Sequence, residues 1–346
     1  MQCTLMPMLE AGDTLDHYRL DAAVARGGMA TLYRATDLND GRTVAIKVPH
    51  AEMEADPVLV ERFQREQQIG QELGHPGIVK TYDGEERSRL YMVIEWVEGR
   101  LLRAILEEAA GSGEQGSREP GGLERGLPIE RATHFALEIL DALDTMHKHG
   151  IVHRDLKPEN IMVDDEDRIK LIDFGIAMKE DARRITFVGM SPALGTPDYI
   201  SPEQVKGQRG DHRSDIYSLG VMLYEMLAGQ PPYTGSNPLA VMNERLLHDP
   251  EPVRKLRKEV APELEEILNR ALERDPRRRY QTAADMAWEL EHQNQVELEQ
   301  VGVDGGARRP VLGGMKLPAT RRLLLYAGLA LVPVVIFVVM MMLARR

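Results

Sequence analysis

The sequence has 346 residues, 43% of them hydrophobic and 28% charged, with a formal net charge of -12 and one cysteine, Cys3. That length buries one large or two medium cores and excludes a small stapled module, and a lone cysteine excludes a disulfide framework and points to a reducing compartment. From Ala307 to Arg346 there are seven Arg or Lys and no Asp or Glu, so an acidic body precedes a basic tail. The acidic body argues against nucleic acid as a partner, whereas basic groups beside an apolar run usually meet anionic lipid.

The first twenty residues carry Glu10, Asp13, Asp16 and His17 among scattered hydrophobes. They lack the basic start and apolar stretch of a signal peptide, so the body is expected to stay in the cytoplasm. Residues Tyr18–Val24, Thr31–Thr36 and Thr43–Val48, rich in β-branched and aromatic side chains, predict strands, with Asn39-Asp40-Gly41 as a hairpin turn. Pro57 opens a helix over residues 57–73, and strands follow at Ile78–Tyr82 and Leu90–Trp96. Residues 107–127 hold six glycines and few aliphatic side chains, which predicts a flexible surface insertion. Helices then dominate: Pro128–His149, Ser214–Ala228, Pro238–His248, Pro262–Glu273 and Thr282–Gln293.

A strand-rich lobe over 18–97 therefore precedes a helix-rich lobe over 98–291. Gly and Pro break any periodicity in a linker over 292–320. The segment 321–344 follows, in which Leu323 to Leu343 carry no charge. At about 1.5 Å per residue that run reaches roughly 31 Å, the thickness of a bilayer core, and predicts a transmembrane helix. Pro333 within it is tolerable because membrane helices accept kinks. Five basic residues precede the span and two follow it, which favours a cytoplasmic N-terminal side.

Four motifs carry the chemistry. VARGGMATLY at 24–33 is a Gly-rich turn, and Val44-Ala45-Ile46-Lys47 ends a strand. His153-Arg154-Asp155-Leu156-Lys157-Pro158-Glu159-Asn160 is complete, and Asp173-Phe174-Gly175 follows the strand Ile169–Ile172. In this order and spacing they resemble the protein kinases over roughly residues 18–290, and in particular the eukaryotic-like (Hanks-type) serine/threonine kinases of bacteria, many of them transmembrane.

The resemblance implies an α+β, bilobal fold with a β-rich N-lobe and a helical C-lobe, to which the C-terminal transmembrane helix is added. It implies ATP and Mg²⁺ as cofactors and proteins bearing Ser or Thr as substrates. Residues Val24, Ala25, Gly27, Gly28, Met29, Ala30 and Leu32 would cover the nucleotide, although Ala25 and Ala30 replace two customary glycines. Ala45, Met162, Val24 and Leu32 would wall the adenine pocket, with Ile94 as gatekeeper and the Glu95 to Val97 backbone as hinge. Lys47 would reach the α and β phosphates, held by Glu66, with Glu61 and Glu72 as rivals for that part. Asp155 would accept or orient the substrate hydroxyl proton, Lys157 would contact the transferring phosphate, and Asn160 and Asp173 would ligate the metal.

Ser201-Pro202-Glu203, Arg279 and Asp215 match structural positions of the family. Arg154 could pair with a phosphorylated activation-loop residue, for which Thr186 and Ser191 are the candidates, while Thr196 is expected in the substrate-binding loop. Because little follows the apolar run, regulation is expected from the cytoplasm, the bilayer or self-association as a homodimer. Two other classes compete with an active protein kinase. A membrane-tethered pseudokinase scaffold would fit the altered glycines, and a small-molecule kinase is disfavoured by the contiguous HRDLKPEN.

Overall fold

The computed structural model describes residues 9–28, 30–82, 87–111, 126–173, 178–179 and 198–298. The chain divides into Met1–Leu298 and Glu299–Arg346. The expected transmembrane helix at 321–344 and the linker from 299 onward lie outside the described residues. Among the described residues no helix is long and apolar enough to cross a membrane.

The N-terminal lobe is built on strands β1 (Thr14–Leu15), β2 (Tyr18–Arg26), β3 (Ala30–Asp37), β4 (Thr43–Pro49), β5 (Thr81–Tyr82) and β6 (Met92–Glu95). They form one sheet in the order β1-β2-β3-β4-β6-β5, antiparallel where paired. Alternation along β4 decides what each face does. Val44, Ile46 and Val48 pack with Leu20, Tyr33 and Val93 on one side, whereas Ala45 joins the main core on the other. Lys47, two residues on from Ala45, shares that second face.

Helices α1 (Ala51–Glu54) and α2 (Pro57–Glu72) cover this face. Asp56 caps α2 by accepting from the Val58 amide at 2.9 Å, and Pro57 needs no hydrogen bond in the first turn. The buried stripe of α2 is Phe63, Glu66, Ile69 and Gly70. A side chain at Gly70 would place its first carbon 2.0 Å from the Thr81 hydroxyl, so glycine lets α2 lie directly on β5. That close approach delivers Glu66 to the interior.

The C-terminal lobe contains β7 (Arg100–Leu101), α3 (Leu102–Ala109), α4 (Ile129–Lys148), β8 (Ile151–Val152), β9 (Ile161–Val163), β10 (Ile169–Leu171) and β11 (Met178–Lys179). Helices α5 (Pro202–Val205), α6 (His212–Ala228), α7 (Pro238–Leu247), α8 (Val253–Leu256), α9 (Pro262–Ala271) and α10 (Ala283–Glu291) complete it. Helix α6 runs through the centre: every residue from Ser214 to Ala228 is buried, which is why its apolar pattern is nearly continuous rather than one-sided.

The expected insertion at 107–127 is narrower at both ends. Helix α3 continues to Ala109, Gly126 donates to the Ala109 carbonyl at 3.2 Å, and buried Leu127 donates to Met226 at 2.7 Å. The strand expected at Ile78–Tyr82 is reduced to Thr81–Tyr82, because Ile78 and Val79 turn instead to Leu171 of β10. This tie joins the two lobes beneath β5.

Candidate active site

Lys47 sits between Leu32 of β3 and Met92 of β6 in the sheet register. Its ammonium donates to Glu66 Oε1 at 2.6 Å and lies 3.7 Å from Asp173 Oδ1. Burial works against that charge, but the carboxylates of Glu66 and Asp173 outweigh it and hold Lys47 above its ordinary range. Neither rival glutamate takes the place of Glu66. Glu61 pairs with Arg65 in solvent at 3.3 Å, and Glu72 is exposed at the end of α2.

A second cluster forms where the segment after β8 folds back through the short 3-10 turn Pro158–Asn160. Lys157 Nζ donates to Asp155 Oδ2 at 2.7 Å, and the Asn160 amide donates to the Asp155 carbonyl at 2.8 Å and to its Oδ2 at 3.3 Å. The two clusters are joined through the backbone, because the Ile172 amide donates to the Asn160 carbonyl at 3.0 Å. Asp173 therefore emerges beside Asn160, with nearly half of its side chain exposed. Among the described residues no group of three or more His, Cys, Asp or Glu could form a closed metal cage. One carboxylate plus one amide oxygen instead suits Mg²⁺, which keeps several waters and takes oxygens from a bound phosphate.

Asp215 builds the base of this site. Its carboxylate, on α6, accepts from the His153 amide at 2.9 Å, the Arg154 amide at 2.8 Å and His147 Nε2 at 2.8 Å. Full burial opposes its charge, yet the His147 hydrogen bond and the neighbouring donors bring the carboxyl below its ordinary value. The two amides are presented together because Arg154 takes φ = 64°, a left-handed conformation that costs a non-glycine residue about 1–3 kcal/mol. Gln204 steadies the same turn by donating to the Arg154 carbonyl at 2.9 Å, and the Arg154 guanidinium donates to the Gly210 carbonyl at 3.3 Å. Thr186, Ser191 and Thr196 lie outside the described residues, as do Phe174 and Gly175.

Ser201, standing where the family has alanine, gains a function in the fold. Its amide and hydroxyl both donate to Gln204 Oε1 at 2.9 Å, closing the first turn of α5. Glu203 meets Arg279 in a two-pronged pair at 2.8 and 2.7 Å and accepts from Ser214 at 2.7 Å, all of it buried. Although burial alone would raise Glu203, the Arg279 guanidinium keeps it below the ordinary carboxylate range.

Around the expected nucleotide pocket, Ala45 pairs with Ile94, and both are buried. Leu32, Val97 and Met162 are half-buried, whereas Val24 is exposed. The Glu95 amide is committed to the Lys80 carbonyl at 2.8 Å, and its side chain pairs with Lys170 at 2.7 Å. In the β2–β3 hairpin, Ala25 pairs with Leu32 and Gly27 donates to the Ala30 carbonyl at 2.9 Å. None of its described residues takes a positive φ, so alanine at 25 and 30 imposes no backbone strain. Met29 lies outside the described residues.

Arg103, Tyr199, Glu225 and Gln204 had no role in the sequence reading. The spacing Ser201-x-x-Gln204 is itself a helix-start signature and could have revealed the last of these. The other three meet only through the tertiary fold.

A two-lobed molecule with a lysine–glutamate pair in its sheet lobe and an Asp-Lys-Asn loop in its helical lobe has the architecture of the protein kinases. The protein kinase domain family matches residues 18–290, and the chain belongs to that family. It is 39% identical over 279 residues to a probable serine/threonine-protein kinase of Streptomyces coelicolor, covering 79% of this chain and 39% of that relative. It is 38% identical over 280 residues to the serine/threonine-protein kinase PknB of Mycolicibacterium smegmatis, covering 80% and 42%. The chain thus spans about two-fifths of the length of the curated relatives it matches.

Proposed function

We propose that this chain is an ATP-dependent serine/threonine protein kinase whose catalytic domain is anchored to a membrane by the apolar segment 321–344. What supports the first part is the cluster of Lys47, Glu66 and Asp173, joined through the Ile172–Asn160 backbone bond to the cluster of Asp155, Lys157 and Asn160. The hydroxyl specificity rests on Lys157 two residues after Asp155 and on relatives named as serine/threonine kinases.

Lys47, fixed in direction by Glu66, holds the α and β phosphates of ATP, and the backbone around Gly27 and Gly28 closes over them. Asp173 and Asn160 would hold Mg²⁺, which when bound would supply positive charge to the phosphate oxygens. Asp155 orients the substrate hydroxyl and receives its proton as the new oxygen–phosphorus bond forms and the bond to the β-phosphate oxygen breaks, releasing ADP. Lys157, drawn to Asp155, balances charge on the phosphoryl group in flight.

Transfer of radiolabel from γ-labelled ATP to protein, by the full chain in detergent, tests this reading against Asp155→Asn. Equal labelling by both proteins would remove it. Autophosphorylation at Thr186 or Ser191 is part of the proposal, and mass spectrometry of active protein showing neither residue modified would remove that part. Flotation with liposomes, lost on deletion of residues 321–344, tests the anchor.

A further inference from the structure

His50 follows directly on β4, the strand that carries Lys47, and it is bonded in two directions. Its ring Nε2 lies 3.0 Å from the Thr31 hydroxyl, near the start of β3 and just after the Gly-rich turn. Its backbone carbonyl accepts from the Met53 amide at 2.9 Å and the Glu54 amide at 3.1 Å, so the same residue opens α1. Met53 is buried in the core cluster that holds Phe63 and Ile69 of α2, and Glu54 pairs with Arg89 at 2.9 Å, shortly before β6. His50 therefore ties the root of the Gly-rich turn to the helical unit that delivers Glu66.

The sheet register places this tie where the backbone ladder stops. Thr31 pairs with Val48, and Ala30 pairs with Pro49, the last residue of β4. Pro49 carries no amide hydrogen with which to extend the ladder. A side-chain bond takes over at that point. By strand alternation Thr31 and Val48 share the face of the sheet opposite Ala45 and Lys47, and His50, in extended backbone, continues on it. The bond thus acts on the nucleotide side only through the backbone of the turn. A threonine hydroxyl both donates and accepts, so it meets the ring nitrogen whether that nitrogen carries a hydrogen or not.

We infer that His50 is a positioning residue for phosphate binding: by holding Thr31 it fixes the Gly-rich turn to the frame that carries Lys47 and Glu66. This rests on the kinase reading above and deepens it. The turn has a backbone bond of its own, from the Gly27 amide to the Ala30 carbonyl at 2.9 Å. A turn also anchored at its root loses less freedom when it closes on a ligand, which favours binding.

The test is steady-state ATP kinetics of the full chain in detergent. Thr31→Val, which keeps the side-chain shape and removes the hydroxyl, is expected to raise KM for ATP about three- to tenfold, the effect of one hydrogen bond, with kcat within about twofold. His50→Leu should do the same, and the double variant should be no worse than either single change, because both remove one bond. His50→Gln, whose amide can still reach Thr31, should stay near the wild-type KM. General loosening of the lobe would instead lower kcat and accumulate in the double variant. Thr31→Val carries the test even where His50→Leu disturbs the start of α1. An unchanged KM in Thr31→Val, or effects that add in the double variant, overturns the inference, while continued transfer leaves the kinase reading standing. No transfer by the wild type removes both.

Discussion

Lys47 Nζ donates to Glu66 Oε1 at 2.6 Å, a bond that spans the interface between β4 and α2. The pair exists because strand alternation puts Lys47 on the face that α2 covers, and because Gly70 lets that helix approach. Removing either partner should therefore affect phosphate positioning more than folding. Lys47→Met and Glu66→Gln are each expected to lower kcat/KM for ATP by about 10²–10³, the usual cost of losing one preorganised electrostatic group. Steady-state kinetics checks this, with circular dichroism expected to match the wild type.

Asp155 touches Lys157 and Asn160 but supports no packing core. Asp155→Asn is expected to reduce kcat by about 10²–10⁴ through loss of the proton acceptor. Nucleotide affinity measured by calorimetry should stay within a few-fold, about the scatter of such a comparison. A parallel fall in affinity would mean that Asp155 holds the nucleotide rather than the acceptor.

The Glu203–Arg279 pair is buried on both sides, and each partner has further hydrogen bonds from Ser214 and to the Glu273 carbonyl. Breaking it by Arg279→Met leaves a buried carboxylate uncompensated and is expected to cost about 3–5 kcal/mol in urea unfolding. The double variant Glu203→Gln with Arg279→Met should cost less than the sum of the single changes, since it removes the orphaned charge as well.

Asp215 gives a pH signature. Its folded carboxyl sits below the ordinary value of 3.8, so on acidification the unfolded chain takes up the proton first. The stabilisation is complete above 3.8 and is lost as pH falls through the folded value. Asp215→Asn is therefore expected to be less stable than wild type at neutral pH, with the gap narrowing below 3.8. Denaturant unfolding across that range checks it, and a gap independent of pH would contradict the assignment.

The site was legible in the sequence where its chemistry lies in contiguous strings. HRDLKPEN places Asp155, Lys157 and Asn160 within six residues, and VAIK fixes Lys47 on a strand whose alternation can be read directly. Helix α2 was foreseen within a residue because Pro57 suits a first helical turn. Glu66 was chosen over Glu61 and Glu72 by family resemblance, and the packing of Gly70 against Thr81 supplies the physical reason by fixing which face of α2 is buried. The cluster of Arg103 with Glu159, Tyr199 and Glu225 was invisible because its members are separated by 26 to 122 residues and share no local pattern. Strand Ile78–Tyr82 was overextended because β-branched residues there satisfy a contact with β10 rather than a sheet of their own lobe.

The proposed activity depends on one convergence around a metal-bound triphosphate. A crystal structure of the chain with Mg²⁺ and a non-hydrolysable ATP analogue measures it directly. The prediction is Lys47 at the α and β phosphates, Asp173 and Asn160 on the metal, and Asp155 open to an incoming hydroxyl beyond the γ-phosphate. A nucleotide bound elsewhere, or a metal held without Asp173, would contradict it.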